Sequence, residues 1–180
     1  MSSDDEKETS NFEILREEVL SLSESEYWSI AKEEWYLCEI YEKKNGTCVC
    51  THHPITDHCV IINRYNHHEL TVGNRCIKHF PPTLQESIAG LFTNFKRLKQ
   101  NQNTTKARVS QKLRDYCYER EIINEWERDF LFNTHHKKSL TFKQSHKMIQ
   151  IHNKIICKIG NRLDKRRRRR RRSSIRKQNR

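Results

Sequence analysis

Four cysteines, spaced Cys48-x-Cys50-x8-Cys59-x16-Cys76, constrain this chain more than any other feature of its sequence. Four thiolates from two strand-turn elements are what a tetrahedral structural zinc site requires, with every position closed by protein side chains. The chain has few other means of holding a shape. Only 34% of its 180 residues are hydrophobic and 32% are charged, so its core must be modest. A metal that supplements a small core is a physical solution to that shortage. Seven cysteines, an odd number accompanied by ten histidines, fit reduced thiols better than a disulfide framework. Cys38 is a rival ligand, and His52, His53, His58 and His79 lie close in sequence, so a Cys3His set stays open. Each of these histidines also reads as a polar surface side chain, as do His67, His68, His135 and His136. Cys117 and Cys157 fall within apolar helical stripes and read as buried free thiols.

Around the cluster the pattern alternates between strand and helix. Trp35–Tyr41 is aromatic and β-branched enough for a strand, and Lys43-Lys44-Asn45-Gly46 reads as a turn into a returning strand, Thr47–Cys50. Cys59–Asn63 and Leu70–Val72 read as a second hairpin about the polar loop Arg64–Glu69. Gly73 is expected to let backbone amides point at thiolate sulfur, with Asn74 capping a helical turn that carries Cys76.

On the N-terminal side, Phe12, Leu15, Val19 and Leu22 make a helical stripe, and Ser23 with Glu26 resembles a capping box for a second short helix. On the C-terminal side, Thr83 with Glu86 reads as another capping box, opening a helix with Leu84, Ile88, Leu91, Phe92, Phe95 and Leu98 on one face. A long helix is expected over 106–132, with Val109, Leu113, Tyr116, Cys117, Ile123, Trp126 and Phe130 on one face. A last one, capped by Thr141 and ended by Gly160, turns Phe142, Ile149, Ile155, Ile156 and Ile159 inward.

Charge divides the chain sharply. Residues 1–42 carry 13 acidic and 3 basic side chains, whereas residues 161–180 carry 12 basic and one acidic. The formal net charge is +12. Lys165, Arg166, Arg167, Arg168, Arg169, Arg170, Arg171 and Arg172 form one unbroken cationic block, which suits a polyanionic partner. No apolar run is long enough to span a bilayer, and the acidic start is unlike a secretory signal. The chain therefore reads as soluble, intracellular and not membrane-bound. Signatures of catalysis are missing: no H-x-E with P-C-x-x-C, no H-E-x-x-H, no phosphate-binding glycine loop and no G-x-S-x-G elbow.

The run Trp35-x12-Cys48-x-Cys50-x4-Ile55-x3-Cys59-x-Ile61-x-Asn63, followed by Val72-Gly73-Asn74-x-Cys76-Ile77-x2-Phe80, resembles a small zinc-binding module. That module recurs in uncharacterised proteins of phages, bacteria and large DNA viruses. Trp126-Glu127-x2-Phe130 and Leu140-Thr141-x-Lys143-Gln144 are similar to the segment that often follows it, so the resemblance covers about residues 35–160. It implies a zinc-binding fold carried by Cys48, Cys50, Cys59 and Cys76; a viral origin is a separate expectation. The module has glycine after C-x-C, where this chain has Thr51.

The resulting expectation is an α+β, mostly helical fold: a zinc-pinned β-hairpin module followed by a helical hairpin, with disordered termini. Its parts are an acidic disordered tail (1–10), an acidic helical arm (11–34), the zinc module (35–80), a helical region (83–160) and a disordered arginine-rich tail (161–180). The expected function is non-enzymatic binding of nucleic acid, DNA or RNA, through the arginine tail and its phosphate contacts. In a eukaryotic host the same tail suits nuclear localisation. The alternative is a protein–protein adaptor whose tail serves localisation alone. The sequence leaves oligomeric state open.

Overall fold

The computed structural model describes residues 3–160, with side chains from Ser10 onward. Its described part is α+β and mostly helical. Helix α1 (Ser3–Ser21) and the single turn α2 (Trp28–Ala31) lead through a 3-10 turn, Lys32–Glu34, into strand β1 (Trp35–Gly46). Strands β2 (Ile55–Asn63) and β3 (Glu69–Gly73) complete an antiparallel sheet with β2 in the centre. The turn α3 (Asn74–Ile77) follows, then α4 (Pro82–Gln100), α5 (Gln111–Glu119), α6 (Glu125–Thr134) and α7 (Phe142–Gly160).

The core forms where the sheet meets α4 and α7, both of which pack on β1. The α4 stripe is buried as its periodicity requires: Leu84, Ile88, Leu91, Phe92, Phe95 and Leu98 all face inward. Leu15 and Val19 of α1 join them, with Phe12 and Leu22 packed alongside. Helix α1 runs from Ser3 to Ser21.

The acidic arm is tied down by one buried carboxylate. Glu34 accepts hydrogen bonds from the Glu24 and Ser25 amides at 2.8 and 2.9 Å and from Asn63 Nδ2 at 2.7 Å. Asn66 Nδ2 reaches the Leu22 carbonyl at 3.0 Å. Burial pushes the Glu34 carboxyl up, but the bonds from Asn63, Glu24 and Ser25 outweigh it and hold the group below its ordinary value. The arm is thereby fastened to the loop between β2 and β3.

Several local expectations are corrected. Asn45 and Gly46 do not close a hairpin. The strand runs through them to pair Gly46 with Ile55, and Asn45, at φ 56°, sits in a bulge. Gly46 is needed for closeness, since a Cβ there would fall 1.8 Å from the His58 ring. In place of two hairpins there is a three-stranded meander sharing β2.

Neither proposed capping box on the N-terminal side of a helix forms. Ser23 Oγ instead donates to the Val19 carbonyl and accepts from Trp35 Nε1, and α4 opens on Pro82, which has no N–H to satisfy. The helix expected over 106–132 is two helices. Ser110 caps α5, Glu121 takes a left-handed conformation at φ 54°, and Asn124 with Glu127 forms a full capping box for α6. The helical hairpin is therefore three helices, α5, α6 and α7. In α7, Met148, Ile151, His152, Ile155 and Ile159 are buried, while Phe142 is 87% exposed and the Cys157 thiol is exposed as well. Trp126 is also exposed. Cys117 is buried, and its thiol is pushed up to about 12 by that burial.

Candidate metal centre

The connection between β1 and β2, residues 47–54, carries Cys48 and Cys50 as a compact turn in place of a strand. Its shape is fixed by backbone bonds. The Cys48 amide donates to the His52 carbonyl at 3.0 Å, and the Thr51 amide donates to the Cys48 carbonyl at 2.9 Å. The Val49 amide donates to the Thr71 carbonyl, which staples the loop to β3. Thr51 holds φ at 67°, the left-handed region that a β-branched residue enters only under strain. Glycine enters it freely.

Cys76 comes from the other side, in α3 directly after β3. The three sulfurs of Cys48, Cys50 and Cys76 lie within 4.8 Å of one another and all three residues are buried. Cys48 Sγ is 3.4 Å from Cys76 Sγ, which is 3.2 Å from Cys50 Sγ. Zinc–sulfur bonds of about 2.3 Å in a tetrahedron set sulfurs about 3.8 Å apart, so a small spreading of the trio accommodates an ion.

Backbone donors complete the fit. The Gly73 amide points at Cys48 Sγ at 3.2 Å, the role expected of it. It does so from an ordinary extended conformation, with φ at −89°. Glycine matters there for space, because a Cβ would press on Ile55 at 3.3 Å. The Cys50 amide also donates to the Cys48 sulfur, and the His52 amide to that of Cys50. Such amide–sulfur bonds orient thiolate ligands and spread their charge.

Proton affinities within the trio diverge. The hydrogen bond from Cys76 lowers the Cys48 thiol most. Burial opposes it, the Cys50 and Gly73 amides reinforce it, and the group settles at about 6. Cys76 is pushed up by the same contact and then by burial, and Cys50 is raised chiefly by burial. Cys48 is thus the thiol of the trio that gives up its proton most readily, and binding of a cation would release the protons of the others.

Cys59 stands outside the trio. It lies mid-strand in β2, paired with Ile40 and Val72, and is fully buried in the same core. Burial raises its thiol, followed by the charges of Asp57 and Cys48. Cys38 sits at the β1 bulge between Leu37 and Glu39, outside the trio as well. His58, expected at the surface, is buried, stacked on Tyr41 with ring centroids 4.5 Å apart. The block Lys165–Arg172 lies outside the described residues.

A cleft of about 1040 Å³ opens over the trio, bordered by His52, Asp57, Arg75, Lys78, His79 and Lys96 among others. Asn74 does not cap α3. Its Nδ2 donates to Asp57 Oδ2 at 2.6 Å, and Lys96 pairs with the same oxygen. Sequence reading missed this Asp57–Asn74–Lys96 link, whose signal is Asp57 two positions before Cys59 on one strand face. What the geometry establishes is a buried three-cysteine site able to hold a metal ion. Comparison with protein-family models, with curated proteins and with solved structures returned no match.

Proposed function

We propose that the chain is a non-enzymatic nucleic-acid-binding protein whose shape is held by zinc and whose cations do the binding. The observation that carries this reading is the run of charge at its C-terminal end. From Phe130 to Gly160 there are six lysines and no acidic residue, and the Lys165–Arg172 block follows five positions later. A polyelectrolyte partner rewards such a run, because each phosphate neutralised releases condensed counterions.

Zinc is the ion of this proposal, since buried thiolates in a tetrahedral arrangement suit it. Cys48, Cys50 and Cys76 are three ligands, and Cys59, buried in the same core, is the fourth. The resemblance to the small zinc module supports that set. Three to four thiolates leave negative charge on the site, and Arg75 and Lys78 at the cleft border offset it. In a eukaryotic host the arginine block also directs the protein to the nucleus.

Binding measured against salt tests the reading. The full chain is expected to bind DNA or RNA at about 50 mM salt with a steep loss of affinity as salt rises, and deletion of 161–180 to flatten that slope. Absence of binding to both at that salt contradicts it. A protein adaptor is the second reading, favoured by Tyr27 and Ile30, which are 71% and 56% exposed on the acidic arm. It predicts a chain that ignores nucleic acid even at low salt.

A further inference from the structure

The nucleic-acid reading does not say which strand form is bound or where on the folded body contact occurs. The α6–α7 face supplies an answer. Trp126, in the first turn of α6, is 57% exposed, whereas Trp35 is buried and Trp28 packs against the core. Its ring stacks on Phe130 one turn later, with centroids 5.4 Å apart and planes 17° from parallel. Phe130 itself packs against the core, so the exposed indole is braced from below. Lys147 of α7 places its ammonium 5.2 Å from the indole centroid. An indole more than half exposed, stacked on a second ring and carrying over it the ammonium of a long side chain able to swing aside to a phosphate, is a stacking surface for a planar base.

The cations beside it are ordered. Lys143, Lys147, Lys154 and Lys158 are spaced by four, seven and four residues, which sets them on one face of α7 over roughly 22 Å. Glu127, next to Trp126, is buried and receives Lys154 at 2.6 Å and Lys147 at 3.9 Å. It holds the ammoniums at the seam between the two helices. Its own carboxylate, tied also to the Asn124 amide, is turned away from solvent.

We infer that the seam between α6 and α7 binds single-stranded nucleic acid, with an unpaired base stacked on Trp126 and the α7 lysine row along the phosphates. This rests on the nucleic-acid reading and sharpens it. A duplex hides its bases in its own stack and offers nothing to the indole, while a single strand presents a ring for every phosphate. Continuity supports the assignment, since the row runs toward the end of α7, from which the arginine-rich segment departs.

The test is titration of the full chain with a thymine oligonucleotide and with a duplex of equal length, followed by tryptophan fluorescence and by a separate binding measurement. The single strand is expected to quench the exposed tryptophan, and the duplex to bind without quenching. Trp126→Ala is expected to weaken single-strand binding by at least about fivefold and to remove the quench. Trp126→Phe, which keeps a ring, is expected to restore most of the affinity. The double variant Lys143→Gln/Lys158→Gln is expected to reduce the salt slope by about 1.4. Equal single-strand binding by Trp126→Ala and the parent chain, with the quench intact, overturns the seam and leaves the tail as the binding element. If the parent chain binds neither strand form, the seam and the broader reading fall together.

Discussion

Around Cys48, Cys50 and Cys76 the buried atoms are sulfurs and the amides that point at them, whereas beneath α4 and α7 they are aliphatic and aromatic carbons. The two regions share one core but obtain stability differently. Burial of Phe95, Leu98, Ile151 and Ile155 is a direct hydrophobic gain, present as soon as the helices dock. The cysteine end buries polarizable groups whose proton affinities conflict, a conflict that a cation would resolve under the metal-site proposal. With a metal bound there, one half of the fold would tolerate loss of the ion and the other would not.

Breaking the cysteine end should have the largest effect. Cys76→Ser is expected to cost more than about 4 kcal/mol in zinc-containing buffer, measured by urea unfolding. After chelation the variant and the parent chain should unfold together, because the difference between them is the ion. Cys59→Ser sharpens this result: a cost of similar size assigns Cys59 as the fourth ligand, and a cost below about 1.5 kcal/mol assigns it to the apolar core alone.

In the helical half, Leu98→Ala should cost about 3 kcal/mol, with or without zinc, since Leu98 is fully buried away from the trio. A cost of Leu98→Ala that vanished on chelation, as that of Cys76→Ser is expected to, would erase the contrast between the regions. Next in size, Glu34→Gln should cost about 2 kcal/mol by weakening charge-assisted bonds to Glu24, Ser25 and Asn63.

The helical half has a pH dependence of its own, separate from the proton release that metal binding would bring at the cysteine end. His152 is 1% exposed in α7, and burial first, then the charge of Arg108, lowers its proton affinity from 6.5 to about 4. The fold therefore binds fewer protons than the unfolded chain below pH 6.5. Its contribution is fully present above pH 6.5 and is lost as pH falls, by up to about 1.4 kcal/mol per unit. Between pH 6.5 and 5, stability should decline in the parent chain and decline less in His152→Leu. The lowered Glu34 and Glu127 carboxyls act below about pH 4.5, outside that window. The smallest effect is expected at the turn beside the ligands. Thr51→Gly should stabilise the fold by about 1 kcal/mol, by relieving a left-handed threonine.

The same contrast governs what could be read from the chain before its structure. The α4 stripe was legible to the residue because periodic burial is local, and Leu84 to Leu98 satisfy it on one helix. So was the meeting of Cys48 and Cys50 with Cys76, because a set of reduced thiols in a small core has few uses other than holding a metal. Boundaries decided by hydrogen bonds were misread. Asn45-Gly46 has the composition of a hairpin turn, yet pairing of Gly46 with Ile55 keeps the strand going. The break at Glu121 was hidden by an apolar pattern that continues in phase across it. The signal that could have revealed it was Asn124-x-x-Glu127, a capping box inside the supposed helix. Cys59 was grouped by spacing, but the register opposite Val72 places its sulfur by strand geometry, which spacing does not encode. Exposure of Trp126, Phe142 and Cys157 depends on which helix faces find partners, and that is a property of the whole packing.

The central claim is that an ion at Cys48, Cys50 and Cys76 holds the sheet end in shape. Elemental analysis of the purified chain, paired with a thermal melt before and after chelation, tests it most directly. The account predicts one zinc per chain, lost in Cys76→Ser, and a melting temperature that drops when the ion is withdrawn. A chain that carries no metal and melts at the same temperature with and without chelator would contradict it.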